Sequence, residues 1–368
     1  MRINMTLSIS RNTKIYVASP SNVATGGPEL LHQLVYHLRN SLNLDAYMYY
    51  FPAFLENPVH PNYEIYNCPF VKEIEDKKTN IFIVPEVIKG IELLRSFKKI
   101  QEVIWWLSID NFITSYIYSN KIRYSSITFR RIINKISRDI FEKDNIFDIN
   151  EIILKKYLYN KNFISKFLKE VNMQNIDLNL CQSYYAMNFL GGFGINNIVY
   201  LSDYLNKEFL LETFDINKKE NIVTYNPQKG YGFTKKIISS APNIKFVPII
   251  NMTRQQVIET LQQAKIYIDF GNHPGKDRVP REAAILGCCV ITGKRGSAAF
   301  YEDVPVPEEY KFEDKKENIP VIIEKIEDCF ENFDERYKDF DYYRQVIKQE
   351  PAKFIEDLKK IFVLENFK

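Results

Sequence analysis

The stretch Ile266-Tyr-Ile-Asp-Phe270, Gly271-Asn-His-Pro-Gly-Lys-Asp-Arg-Val-Pro-Arg-Glu-Ala-Ala284, closing on Cys288-Cys-Val-Ile291, decides the fold. Its two ends are short apolar runs of strand length. Between them lie a glycine-containing loop and a helical pattern, with Pro280 suited to a helix start. Strand, loop, helix and strand in that order make one βαβ unit of a parallel sheet. In such sheets ligands bind outside the carboxyl ends of the strands, where helix N-termini offer free N–H groups. The informative residues are therefore those that follow each strand.

The same unit repeats along the chain. The second half reads as strands at Asn221-Ile-Val-Thr-Tyr225, Ile244-Lys-Phe-Val247, Ile266-Tyr-Ile-Asp-Phe270 and Cys288-Cys-Val-Ile291. The first half gives Lys14-Ile-Tyr-Val-Ala18, Ala46-Tyr-Met-Tyr-Tyr50, Ile81-Phe-Ile-Val84, residues 103–107, 178–181 and 198–201. A helix over 28–42 carries Leu30, Leu31, Leu34, Val35 and Leu38 on one face. The expected fold class is α/β: two Rossmann-like domains, with a helical insertion in the first. Residues 1–205 form the N-terminal domain, 206–350 the C-terminal one, and 351–368 a last helix. The charged run 206–220 reads as the linker.

The 368 residues exceed one ordinary core and suit two domains of about 150 to 200 residues each. A net charge of only +3 gives nucleic-acid binding no support, and no nucleic-acid partner is expected. No signal peptide is read at the N-terminus, and no run approaches the ~20 apolar residues of a membrane span. Five cysteines without metal spacing read as buried thiols of a reducing cytoplasm. The insertion, 117–175, contains a basic amphipathic stretch at 121–138, with Arg130 and Arg131 at its middle. Two readings of it stand: a solvated helix face packed on its own domain, or peripheral docking on an anionic membrane.

The loops after the strands sort the chemistry. In the first half, Gly26 and Gly27 open a helix, which fits a phosphate or sugar contact and equally a plain helix start. Asp110, in Ser108-Ile-Asp-Asn111, follows the most apolar strand. It is a candidate catalytic base, or an Asx turn. Glu29 is a second candidate, or a complement to the helix dipole. Trp105 and Trp106 alternate across their strand and report burial.

In the second half, Lys229 and Gly230 place a cation and a glycine where a diphosphate meets a helix N-terminus. Arg278 and Glu282 lie four apart on one helix face. A helix starting at Pro280 puts Glu282 in its first turn, where a carboxylate can accept from both hydroxyls of a ribose. Thr292, Gly293, Arg295 and Gly296 offer small backbone and cationic contacts to an anion. His273 is the histidine best placed for catalysis, with a structural role as its alternative.

Other signals carry less. Gly191-Gly-Phe-Gly194 reads as a helix end and turn. Asp339-Phe-Asp341 reads as a solvated face, and His32 and His37 are spaced wrongly to share a metal. No metal ligand set is expected, and no cofactor.

At residues 272–282, together with Gly287-Cys-Cys-Val-Ile-Thr-Gly293, the chain resembles bacterial glycosyltransferases of the GT-B fold, of the capsule, O-antigen and surface-glycan kind. The resemblance implies two domains facing a cleft and a last helix crossing back to the first domain. It implies a nucleotide-diphosphate sugar as donor, metal-independent transfer and a glycan acceptor, lipid-linked in some pathways. On it, Gly26-Gly27 matches the glycine pair of the first long helix, Lys229-Gly230 the diphosphate site, and Glu282 the ribose-holding glutamate. Retaining members carry a second glutamate eight positions earlier; here that position is Pro274, which leaves the stereochemistry open. Two rival functions fit the same fold: a nucleotide-sugar epimerase, and a non-catalytic sugar- or nucleotide-binding protein.

Overall fold

The structure, a computed structural model, describes residues 7–52, 56–119 and 149–364. The basic stretch 121–138 lies outside them. The chain divides into two compact units, one of residues 1–180, 190–199 and 361–368, the other of 181–189 and 200–360.

The first unit is built on a sheet whose strands run β4-β3-β2-β5-β6-β7-β8. In chain order these are β2 (Lys14–Pro20), β3 (Asp45–Phe51), β4 (Phe70–Val71), β5 (Ile81–Pro85), β6 (Gln101–Trp106), β7 (Leu178–Cys181) and β8 (Ile198–Tyr200). β2 pairs in parallel with β3 on one side and with β5 on the other. The strand order therefore reverses at β2, the place where an open sheet leaves a crevice. The interior strands are apolar because both faces are covered, and all five residues of β5 are buried. Trp105 and Trp106 are fully buried, and the Trp106 indole N–H donates to Asn179 Oδ1 at 2.9 Å.

β1 (Leu7–Ile9) lies apart from this sheet and pairs in parallel with β13 (Phe362–Leu364). The helix expected from 351 in fact spans Asp341–Ile361, with Pro351 inside it, and the chain is a strand from Phe362. Within the second unit that helix buries Tyr343, Ile347, Phe354 and Leu358.

The second unit carries a parallel sheet of order β10-β9-β11-β12. Its strands are β9 (Glu220–Tyr225), β10 (Lys245–Pro248), β11 (Ala264–Asp269) and β12 (Cys289–Thr292). Here the order reverses between β9 and β11. The core is contiguous, running from Val223 and Ile268 to Val290, Ile322 and Ile347.

The run 206–220 is not a linker. Phe209 belongs to this core, and Lys219 is buried with its ammonium donating to the carbonyls of Leu261, Ala264 and Leu286 at 2.7–2.8 Å. Those carbonyls close the helices Arg254–Gln263 and Arg278–Ile285, where a cation is favoured by the helix dipole. Charge in the sequence suggested solvent, whereas the charge that matters is satisfied internally. Among the described residues no helix is long and apolar enough to cross a membrane.

Candidate functional site

In the second unit, the loops after β9, β11 and β12 are pressed together at the carboxyl ends of those strands. Gly230 caps the helix Tyr231–Ser240 with φ of 59°. A Cβ there would stand 2.4 Å from the carbonyl of Phe270, and one on Gly271 would stand 2.4 Å from Lys229 Cβ. Only glycines let these two backbones touch. The third loop joins at Gly296, where φ is 62° and a Cβ would meet His273 O at 2.0 Å. Ser297 N–H donates to His273 O at 2.8 Å, and Ser297 Oγ to Gly275 O at 2.6 Å.

A charged cluster lies in this knot. The Lys229 ammonium is 2.5 Å from Asp277 Oδ2, with about a third of the lysine side chain exposed. His273 is fully buried, its Nε2 3.6 Å from Asp269 Oδ1 and its Nδ1 3.6 Å from Asp277 Oδ2, longer than a hydrogen bond. Asp269 also accepts from the Tyr267 hydroxyl and the Gly271 N–H, each at 2.9 Å. Burial opposes charge on His273, but the facing carboxylates of Asp269 and Asp277 outweigh it and raise its pKa. For Asp269 burial is likewise outweighed, by His273 and Lys229, and its carboxyl is held below the usual range.

Asp269, His273 and Asp277 can present one ligand atom each within 4.8 Å of one another. Their i, i+4, i+8 spacing is a signal that the sequence reading passed over. The Lys229 ammonium already supplies positive charge to this group.

The other expected site residues divide. The helix bearing Arg278 and Glu282 starts at Arg278 rather than Pro280. Glu282 therefore sits in the second turn, half-buried, and not in the first. Asp277, preceding a proline-containing first turn, takes the N-cap position instead. Thr292 is fully buried, and Gly293 N–H donates to Asp269 O at 2.8 Å. Arg295 donates to Phe270 O at 2.7 Å and lies 3.4 Å from Asp314. The loop 292–297 thus holds the 270–277 loop in shape. His273, enclosed by the same contacts, organises that loop and has no surface from which to reach a substrate proton.

Beneath the knot is a buried ion network that sequence reasoning missed. Arg281, fully buried, pairs with Asp203 at 2.7 Å and Glu350 at 2.9 Å. Lys276 pairs with Glu350 at 2.7 Å, and its N–H donates to Gln182 at 3.2 Å. These contacts tie residues 200–206 and the helix Asp341–Ile361 to the loop that bears Asp277.

In the first unit, Gly26 and Gly27 begin the helix Gly26–Asn40. A Cβ on Gly27 would meet only Leu107 Cδ1, at an ordinary 3.6 Å, so the protein's own packing does not require glycine there. Glu29 is buried and accepts from the Tyr66 hydroxyl at 3.0 Å. Asp110 lies in the first turn of the helix Ile109–Ser119 and is only 9% exposed. Glu86, which the sequence reading did not single out, follows β5 directly and is buried with its Oε2 accepting from Leu107 N–H at 3.1 Å. Burial pushes its carboxyl up to about 8.

Elsewhere Gly194, at φ of 78°, makes the turn expected before β8. Asp339 accepts from the Tyr310 hydroxyl and Asp341 pairs with Arg344 at 2.6 Å, so both carboxylates have local partners.

No protein-family model matches the chain, and no curated protein sequence does. Solved structures do. Sucrose-phosphate synthase from Thermosynechococcus elongatus superposes with a TM-score of 0.56 at 12% identity, over 94% of this chain and 99% of that one. HepE from Anabaena, in complex with UDP and glucose, gives 0.54 at 11%, over 94% and 98%. A glycosyltransferase from Rickettsia africae gives 0.53 at 14%, over 96% and 99%. The chain therefore has the fold these proteins share, two Rossmann-like domains of the GT-B class.

Proposed function

We propose that the chain is a glycosyltransferase, moving a sugar from a nucleotide-diphosphate donor to a hydroxyl of a bacterial surface glycan without a bound metal. The donor diphosphate takes the mouth of the three-loop knot. Lys229 supplies the cation, and the N–H groups that follow Gly230 supply donors at a helix start. Glu282 accepts from the ribose hydroxyls. Arg278 lies at the N-terminus of the helix that bears Glu282, and Thr292, Gly293, Arg295 and Gly296 keep the floor of the site in shape.

One observation carries this reading. A part-exposed lysine stands at the point where strand order reverses, on loops whose glycines bring three backbones into contact. Its present partner, Asp277, can be exchanged for the diphosphate, because His273 remains 3.6 Å from the carboxylates of both Asp269 and Asp277. The Lys229 ammonium in that cluster is also what supports a metal-free leaving group. On the acceptor side the carboxylates of Asp110 and Glu29 are the proposed acid–base candidates. His273 is not one, because it is enclosed. HepE, whose structure holds UDP and glucose, makes UDP the first nucleotide to try.

Glu282→Ala is expected to weaken UDP binding by at least about 1.5 kcal/mol, the scale of a charge-assisted hydrogen bond. Unchanged affinity by calorimetry, in a variant that melts like the wild type, removes Glu282 from the site.

A further inference from the structure

The first unit contains an open pocket of about 570 Å³, comparable in volume to small-ligand clefts. It opens beside the carboxyl ends of β2 and β3, between the helix Gly26–Asn40, the turn of helix Pro61–Tyr66 and the edge strand β4. Its lining includes Asn22, Asn57, Tyr63, Glu64, Asn67 and Phe70. The wall is built rather than incidental: Asn22 N–H donates to Pro58 O at 2.8 Å, and the Tyr63 hydroxyl to Thr25 O at 2.7 Å. Behind it the His32 ring packs on Tyr63 with centroids 4.7 Å apart.

The chemistry of the lining selects among ligands. Among the described residues no lysine or arginine contributes to it, so a phosphate, a nucleotide or an acidic sugar would find no counter-charge. His32 supplies none either: its ring nitrogens lie 2.6 Å from Pro28 O and 2.8 Å from the Tyr50 hydroxyl, and burial lowers its pKa. Cys68 is held as the neutral thiol, pushed up by burial to about 12. What remains is three carboxamides and one carboxylate, which together donate to and accept from hydroxyls, beside the exposed ring of Phe70, against which an apolar C–H face can pack. That combination is complementary to a neutral polyhydroxylated ring.

We propose that this cavity holds a neutral sugar unit of the acceptor glycan, at a position remote from the reacting hydroxyl. With Asp110 rather than Glu29 as the base, the remoteness follows from strand order. The cavity flanks β2 to β4, whereas Asp110 follows β6. Ends of β3 and β6 are separated by three inter-strand spacings, roughly 14 Å. A ring in the cavity is then not the ring that reacts near Asp110 but a more distant unit of the same chain, so the site reads acceptor length and composition. The role as acceptor rests on the function proposed above; the sugar-binding property of the cavity does not.

The test uses the full chain and saturation-transfer NMR with maltotriose, triacetylchitotriose and the methyl glycosides of glucose, galactose and N-acetylglucosamine. At least one neutral saccharide is expected to bind with a Kd of about 1 mM or tighter. Phe70→Ala and Glu64→Ala, both at exposed positions and each confirmed as folded by its melting curve, should weaken it about tenfold or more. Saturating UDP should leave the signal in place. Absence of binding by every saccharide, indifference to both substitutions, or displacement by UDP each overturns the proposal. Failure of UDP itself to bind, with saccharide binding intact, removes the proposed transferase function and leaves the cavity's ligand class standing.

Discussion

At the scale of single residues, the glycines separate structural need from ligand need. Gly296 leaves a Cβ no room, with His273 O at 2.0 Å and a positive φ. Gly296→Ala is therefore expected to cost about 2 kcal/mol or more of stability, read as a lower denaturation midpoint, and to weaken nucleotide binding with it. Gly27 is the reverse case. Alanine there meets only Leu107 at contact distance, and a helical Gly→Ala change gains up to about 1 kcal/mol. Stability should hold or rise in Gly27→Ala; a loss of transfer activity at unchanged stability would then report a ligand that approaches this backbone. Glu86 gives the pH signature. Its folded pKa, about 8, lies above the ordinary value of 4.5. Between those limits the folded state keeps a proton that the unfolded state has lost, so stability falls as pH rises, by at most about 1.4 kcal/mol per unit. Below 4.5 and above 8 the effect is flat. Glu86→Gln should flatten the slope across that window, and an unchanged slope in urea titrations from pH 5 to 8 would show that another group sets it.

At the scale of elements, periodicity was highly informative where both faces of a strand are covered. The runs at 81–84, 178–181 and 221–225 read directly, and the structure extends them by no more than a residue at an end. It failed for β1, β4 and β13, two- and three-residue strands that exist by pairing and carry no pattern of their own. The candidate site was legible in part. Gly230 and Gly296 stood out because a glycine just after a strand marks a close backbone approach, and Lys229 because it places a cation beside one. The Asp203–Arg281–Glu350 network was invisible because its partners lie 78 and 69 positions from Arg281, and a charged residue in sequence looks the same exposed or enclosed. That network fixes the helix Arg278–Ile285, and so Glu282, against residues 200–206 and the helix Asp341–Ile361. Arg281→Met strands the buried carboxylate of Asp203 and leaves Glu350 with Lys276 alone, and is expected to cost about 3 to 5 kcal/mol. A loss below 1 kcal/mol in denaturant unfolding would show that the carboxylates find other partners or take up protons.

At the scale of the whole molecule, two doubly wound sheets each reverse strand order once, at β2 and between β9 and β11, and each reversal is flanked by its own distinct chemistry. The second unit offers a cation, glycines and a helix start, suited to a diphosphate. The first offers carboxamides, aromatic rings and no cation among the described lining residues, suited to a neutral polyol. On the proposed function, this division fits a charged donor and a neutral sugar unit of the acceptor. The donor site is tested by calorimetric titration of UDP, with uridine as control, into the wild-type chain and into Lys229→Ala. UDP is expected to bind and uridine to bind far more weakly, while Lys229→Ala loses about tenfold or more for UDP and leaves uridine nearly unchanged. If UDP and the other nucleoside diphosphates fail to bind, or if Lys229→Ala binds UDP as the wild type does, the donor site is not where these loops meet.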